Sequence, residues 1–380
     1  MDVEIGIGKS GRRGFALDEI AIVPSRRTRD ASDVDISWQF DAFRLALPLV
    51  AAPRDGIVGP DSAVTIDAAG GLACLDLEGL WTRYEDPMPL FAEVARLDPG
   101  SVTRRLQEIY SLPVRPELVT ARVRAIVARG AVACGAVTPQ RAEALVPAAV
   151  EGGLDVLVIA GITVSAEHVS RANATLDLAR FVRDLDLPVI VGGCSSYPAA
   201  LHLMRTGAMG VLVGVGPGGS GAASRRVLGV GAPMATAIAD AAGARSRHLE
   251  ETGFYVQVVA DAPIANGGDL AAAIACGADA VMLARPLAAA TEAPGAGSYF
   301  APAAGHATLP RGGREVVETL GSLEEILTGP SHDEQGRCNL FGALRSAMAM
   351  SGYETIREFH KAAVVVASRS GDGEGAGAAW

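Results

Sequence analysis

Aromatic side chains, cysteines and long uncharged apolar runs are all scarce in this chain of 380 residues. Aromatics make up only 5% of it, and alanine, valine and leucine supply the apolar content. That is the composition of helices packed on a parallel sheet, not of an all-β sandwich. The five cysteines, Cys74, Cys134, Cys194, Cys276 and Cys338, stand far apart with no CxxC or Cys/His spacing. This excludes a zinc pattern and a disulfide framework, and it fits a reducing cytoplasm. No stretch of about 18 residues is free of charge and glycine, and MDVEIGIGKSGRR lacks an apolar core before a cleavage site, so neither a membrane span nor export is expected. A net charge of −10 argues against a general nucleic-acid binder.

What the chain does have is rhythm. Short apolar runs fall at Leu47–Ala52, Leu72–Leu77, Ala131–Ala136, Asp155–Ile159, Pro188–Val191, Val211–Gly214, Tyr255–Ala260 and Ala280–Leu283, with amphipathic helical patterns between most of them. Runs that are continuously apolar are strands buried on both faces. Eight of them predict a closed (β/α)₈ barrel of the TIM type rather than an open doubly wound sheet. An internal echo supports this: EGGLDVLVIAG, RTGAMGVLVGVG and ACGADAVMLARP each place a glycine (Gly153, Gly207, Gly277) where a helix stops in the left-handed conformation, just before a strand. The expected organisation is an N-terminal arm over 1–45, a single barrel domain over 46–367 and a disordered tail over 368–380. Within the barrel, a helical insertion is expected at 80–127 and a lid-like, Gly/Pro-rich segment at 294–331.

In such a barrel the chemistry belongs to the loops at the C-terminal ends of the strands. The loop after the sixth strand, GVGPGGSGAASRR, presents Gly216, Pro217, Gly218, Gly219 and Ser220 ahead of Arg225 and Arg226. Its unshielded backbone N–H groups suit an anion, although a surface turn of small residues reads the same way. After the seventh and eighth strands come DAPIANGGD and ARP. There Gly268 at a helix start and Arg285 are candidates for holding a phosphate; the alternatives are a plain helix entry and a solvated arginine. Asp261 closes an apolar strand, where a carboxylate is costly unless it meets a ligand or caps its own loop. Cys194 also follows a strand, but no neighbouring base is present to activate it. His306 and His332 lie in loops without a motif.

Several pieces then carry a resemblance: FALDEIAIVPS, PLVAAPRD, GGLACLDLEGLWTRYEDP, VSAEHVS, VGVGPG, VLGVGAPMATAIADAA, GDLAAAIACGADAVML and LTGPSHDEQGRCNLFGALRSAMAMSGYETIREF. Together they resemble the IMP dehydrogenase and GMP reductase family, most closely its short branch, which lacks the regulatory CBS pair. LEGLWTRYEDP and MRTGA are specific to that branch. The resemblance implies a (β/α)₈ barrel, commonly a homotetramer, whose partner is a purine nucleotide or related phosphate-bearing small molecule. It further implies oxidation of IMP to XMP with NAD, or reductive deamination of GMP with NADPH.

It also implies a cysteine in the loop after the sixth strand, whose thiolate attacks C2 of the purine. Here that position falls on Gly221 or Ala222, and Ser220 and Cys194 are only weak substitutes. Other positions depart too. Arg54 stands where the family has methionine beside the purine, Ala262-Pro263 replace a glycine pair after Asp261, and Ala284-Arg285 replace Gly-Ser or Gly-Thr. Ala160 replaces the aspartate that holds the NAD ribose, and Cys194 an asparagine. The expectation is therefore an IMP dehydrogenase-like oxidoreductase, diverged or impaired. The alternatives are a non-catalytic nucleotide-binding regulator and an enzyme with a changed nucleotide-like substrate whose anion is taken by Arg54 and Arg285.

Overall fold

Eight short strands close on themselves in sequence order in a computed structural model of the chain, which describes residues 2–171, 175–215, 221–301 and 313–367. They are labelled β1 (Leu49–Ala51), β2 (Leu72–Asp76), β3 (Cys134–Val137), β4 (Val156–Ala160), β5 (Val189–Cys194), β6 (Gly210–Val213), β7 (Gln257–Ala260) and β8 (Ala280–Leu283). Every neighbouring pair is parallel, and β8 returns to β1. All strand residues are buried, as barrel strands lined inside by side chains and outside by helices must be.

The eight apolar runs each overlap one strand, offset by up to three residues at an end. The third run was expected from Ala131, but β3 begins at Cys134. The backbone N–H groups of Val132 and Ala133 are taken by the carboxylates of Asp67 and Asp155, at 3.0 and 2.8 Å, so these N–H groups are withheld from the ladder, and Ala133 meets β4 through its carbonyl, which accepts the Val156 N–H at 3.1 Å. The helix-stop glycines have the geometry their repeat predicts: Gly153, Gly207 and Gly277 sit at φ of 93°, 95° and 113°, where a side chain is strained.

The N-terminal arm contains ordered structure as well as irregular chain. A hairpin of Trp38–Phe40 and Phe43–Leu45 plugs the N-terminal end of the barrel. Phe40 is fully buried, and the Trp38 indole donates to Gln257 Oε1 at 3.1 Å. Burying such a ring contributes roughly 1.5–3 kcal/mol. Ile20–Ile22 pairs antiparallel with Val364–Val366, which ties the arm to the far end of the chain.

Three helices lie between β2 and β3: Met88–Arg96, Pro99–Tyr110 and Pro116–Val127. The last packs beside Pro60–Ala68 and Ala142–Glu151, the ring helices on either side of it. The first two carry a separate small core of Leu80, Phe91, Val94, Leu106, Ile109 and Phe300. The residues added to the barrel pattern thus run from Leu80 to about Tyr110, and Pro116–Val127 is a regular ring helix.

Candidate active site at the C-terminal rim

The ends of β5, β6 and β7 approach backbone to backbone. A Cβ on Gly192 would lie 2.3 Å from Leu212 O, one on Gly193 2.2 Å from Gly214 O, and one on Gly214 2.2 Å from Asp261 O. Only glycine fits such contacts. The Gly214 N–H donates to Cys194 O at 2.7 Å, and the Asp261 N–H to Val213 O at 2.8 Å. Cys194, Gly214 and Asp261 therefore stand side by side on the rim.

Their chemistry differs. Asp261 is 1% exposed, a buried carboxylate at the mouth of the barrel. Cys194 is buried as well, and its Sγ points back to Leu212 O at 3.6 Å. Burial pushes this thiol from 9.0 up to about 12, so at neutral pH it is a protonated donor and not a nucleophile.

The opposite part of the rim gathers positive charge. Arg54, directly after β1, is 2% exposed, and Asp55 beside it is a buried hub. Asp55 Oδ1 accepts the Leu80 N–H at 2.9 Å, Oδ2 accepts the Tyr110 hydroxyl, and its backbone oxygen accepts the Phe300 N–H at 3.2 Å. The added helices and the strand Ser298–Ala301 thereby form a roof over the loop after β1. Under this roof Tyr299 donates to Glu315 Oε2 at 2.7 Å. Burial, followed by Glu315, pushes the Tyr299 phenol up, while the guanidiniums of Arg285 and Arg54 act in the opposite direction. Both cations thus lie close enough to act on one phenol.

Arg285 opens the short helix Arg285–Ala288 after β8, is exposed, and makes no hydrogen bond or ion pair to a described residue. It lines a cavity of about 160 Å³ together with Ala265, Val317, Glu318 and Arg337. Ala284 just before it is buried, and its carbonyl accepts the Ala288 N–H at 3.0 Å.

Gly268 is the second residue of the helix Gly267–Ala275. The start of that helix is partly occupied: Asn266 Oδ1 accepts the Asp269 N–H at 2.9 Å, and the Gly267 N–H donates to Gly336 O at 2.9 Å. Gly267 is also small for a packing reason, because a Cβ there would lie 2.3 Å from Ala343 Cβ on the helix Leu340–Met350.

Of the sequence candidates, the structure brings Asp261 and Cys194 together on one arc, and Arg54 and Arg285 on another. Gly216, Pro217, Gly218, Gly219 and Ser220 lie outside the described residues, as do His306 and the tail 368–380. Gly221 and Ala222 fall in the helix Gly221–Leu228. Sequence reasoning missed Asp55, Tyr110 and Tyr299. The Asp after Pro-Arg was the one available signal, since its partners come from far along the chain. Among the described residues no group of three metal-ligating side chains occurs, and no helix is long and apolar enough to cross a membrane.

A closed eight-stranded parallel barrel with its polar groups at the C-terminal rim defines the class: a TIM-type α/β barrel with an enzyme-like site. Comparison then gives the family. The model of the IMP dehydrogenase / GMP reductase domain matches residues 14–308. An uncharacterized oxidoreductase of Mycolicibacterium smegmatis is 46% identical over 375 residues, covering 96% of this chain and 100% of that protein. An inosine-5′-monophosphate dehydrogenase of Methanocaldococcus jannaschii is 31% identical over 282 residues, 64% of this chain and 52% of its own. The crystal structure of an IMP dehydrogenase/GMP reductase-like protein from Corynebacterium glutamicum superimposes with a TM-score of 0.90 at 41% identity, covering 96% of this chain and 97% of that one. The chain belongs to the IMP dehydrogenase / GMP reductase family.

The family implies a nicotinamide nucleotide, and the residues after β4 do not fit one held in the family's way. Ala160 is 6% exposed and carries no carboxylate for a ribose diol. The backbone beyond it is committed to β5, with Gly161 N–H on Gly192 O and Val164 N–H on Gly193 O, each at 3.1 Å.

Proposed function

We propose that this family member binds a phosphate-bearing purine nucleotide, or a nucleotide-like metabolite, at the C-terminal rim of its barrel and does not run the covalent thiol route from IMP to XMP. In this reading Arg285, with Gly268 at the neighbouring helix start, takes the phosphate. Asp261 accepts hydroxyl groups of the sugar, and Arg54 lies where the base or its substitute ends. One observation carries the conclusion: the thiol at the mouth, Cys194, is buried, protonated and turned onto a backbone carbonyl, while no cysteine occurs between Val213 and Met234. Without a thiolate there is no C2 adduct from which hydride can leave.

A second reading, an NAD-dependent oxidoreductase of the IMP-to-XMP type with a different nucleophile, is favoured by the family match itself. One experiment separates them. Steady-state assays with IMP and NAD, following NADH absorbance at high enzyme concentration, are expected to show no turnover. Thermal-shift titration with IMP, XMP and GMP is expected to show stabilisation that grows with ligand concentration. Turnover above background would establish the second reading. Absence of any shift at millimolar nucleotide would remove the first.

A further inference from the structure

The first strands of the chain carry an amphipathic pattern that its own fold leaves uncovered. Asp2–Gly6 pairs antiparallel with Lys9–Arg12, with Val3 opposite Gly11 and Glu4 opposite Ser10. Alternation along this hairpin puts Glu4, Ser10 and Arg12 on one face and Val3 on the other. Ile5 joins Val3, since a Cβ on Gly11 would lie 3.0 Å from Ile5 Cδ1. The polar face is the one fastened to the barrel. Arg12 pairs with Asp240 on the helix Met234–Thr252, and just beyond it the Phe15 N–H donates to Thr236 Oγ1 of the same helix at 2.7 Å. The apolar face stays open: Val3 is 50% and Ile5 71% exposed, and Ile7 in the turn is fully exposed. A two-stranded ribbon is marginal in water by itself, and alternating branched aliphatics on one of its faces suit burial. A second open patch follows β6. The helix Gly221–Leu228 and the residues after it expose Val227 (61%), Leu228 and Val230, with Arg225 and Arg226 beside them. Glu4 borders the apolar face of the hairpin, and neither it nor the two arginines make an ion pair with a described residue. Within one chain both patches remain exposed, so they do not cover each other. Three aliphatic side chains edged by an acid on one patch, and three edged by bases on the other, are complementary in shape class and in charge.

We propose that the N-terminal hairpin of one copy docks on the Val227–Val230 patch of a second copy, aliphatic face against aliphatic patch, with Glu4 turned toward Arg225 and Arg226. The hairpin is then an assembly arm, fastened to its own chain by its polar face and to its neighbour by its apolar one. The contact does not depend on what the rim binds.

The test is sedimentation equilibrium of the full chain without nucleotide. The parent is expected to form assemblies of two or more copies at micromolar concentration. Ile5→Asp and, separately, Val227→Asp are each expected to weaken self-association at least tenfold, with circular dichroism and melting temperature as in the parent. Each variant keeps one intact surface. Mixed in equal amounts they are therefore expected to form a one-to-one heterodimer, the hairpin of the Val227→Asp chain seated on the patch of the Ile5→Asp chain. A monomeric parent, an assembly that survives either substitution, or a mixture that stays monomeric overturns the proposal; the last result would mean that each patch meets its own kind. Should Val227→Asp fail to fold, Val230→Asp, beyond the end of the helix, takes its place in both experiments.

Discussion

Replacing Arg285 with alanine isolates the charge assigned to the phosphate, because this side chain ties no described part of the fold together. It is exposed and makes no hydrogen bond or ion pair to a described residue, so folding stability is expected to stay within about 0.5 kcal/mol of the parent. For the ligand the change is larger. A hydrogen bond to a charged group contributes about 1.5–3 kcal/mol, which is roughly a tenfold to hundredfold change in Kd. Since the guanidinium is open to solvent and salt screens it, the lower part of that range applies at physiological ionic strength. Arg285→Lys keeps the charge without the two-pronged geometry and is expected to fall between parent and alanine. The assay is isothermal titration with a nucleotide and its nucleoside side by side. Arg285→Ala should weaken the nucleotide and leave the nucleoside unchanged. If both weaken equally, or if nucleotide affinity is unaltered while binding is still measurable, Arg285 does not hold the phosphate.

The remaining predictions concern the thiol and the base of the barrel. Cys194, with its thiol raised from 9.0 to about 12 by burial, is expected to resist iodoacetamide in the native protein at pH 8 and to react once urea exposes it; mass spectrometry showing rapid native alkylation would contradict the assignment. Asp279 accepts from Arg245, Tyr255 and the Val258 N–H at 2.7, 2.6 and 2.7 Å, with its side chain and that of Arg245 nearly fully buried. Asp279→Ala strands the Arg245 cation and is expected to cost about 3–5 kcal/mol in urea unfolding. His360 lies near this cluster, its Nε2 2.9 Å from Ala278 O, and burial foremost holds its pKa below 6.5. The unfolded chain then binds the proton more readily, so this contribution to stability is present above about pH 6.5 and is lost as pH falls below it. His360→Gln should flatten that part of the acid limb, seen in denaturant midpoints between pH 7 and pH 5.

The barrel was legible because its signal is repeated and local. Eight buried strands must each be apolar throughout, and each helix-stop glycine sits a fixed distance before its strand, as φ of 93° at Gly153 and 113° at Gly277 shows. The start of β3 differs from the apolar run because carboxylates from other elements, Asp67 of the helix Pro60–Ala68 and Asp155 just before β4, claim the N–H groups of Val132 and Ala133, and no pattern within the run encodes that. The rim was legible only residue by residue. Asp261 announces itself as a carboxylate ending an apolar strand, whereas Tyr299 reaches the site through a strand whose partner, Gly313–Val316, lies beyond a long connection. The hub at Asp55 joins residues 25 and 55 positions apart, a separation at which sequence periodicity carries no information.

The glycines at the strand ends explain how the family's barrel coexists with loops that depart from its pattern. Gly192, Gly193 and Gly214 are each excluded from bearing a side chain by a neighbouring backbone oxygen within 2.3 Å. These contacts close the barrel between β5, β6 and β7, whatever ligand sits above. The loops beyond the strand ends are under no such demand, and it is there that Arg54, Pro263, Ala284 and the cysteine-free loop after β6 depart from the pattern the family resemblance implies. A motif glycine such as Gly214 is therefore evidence of a closed cylinder first. The chemistry has to be argued from the side chains that point away from it.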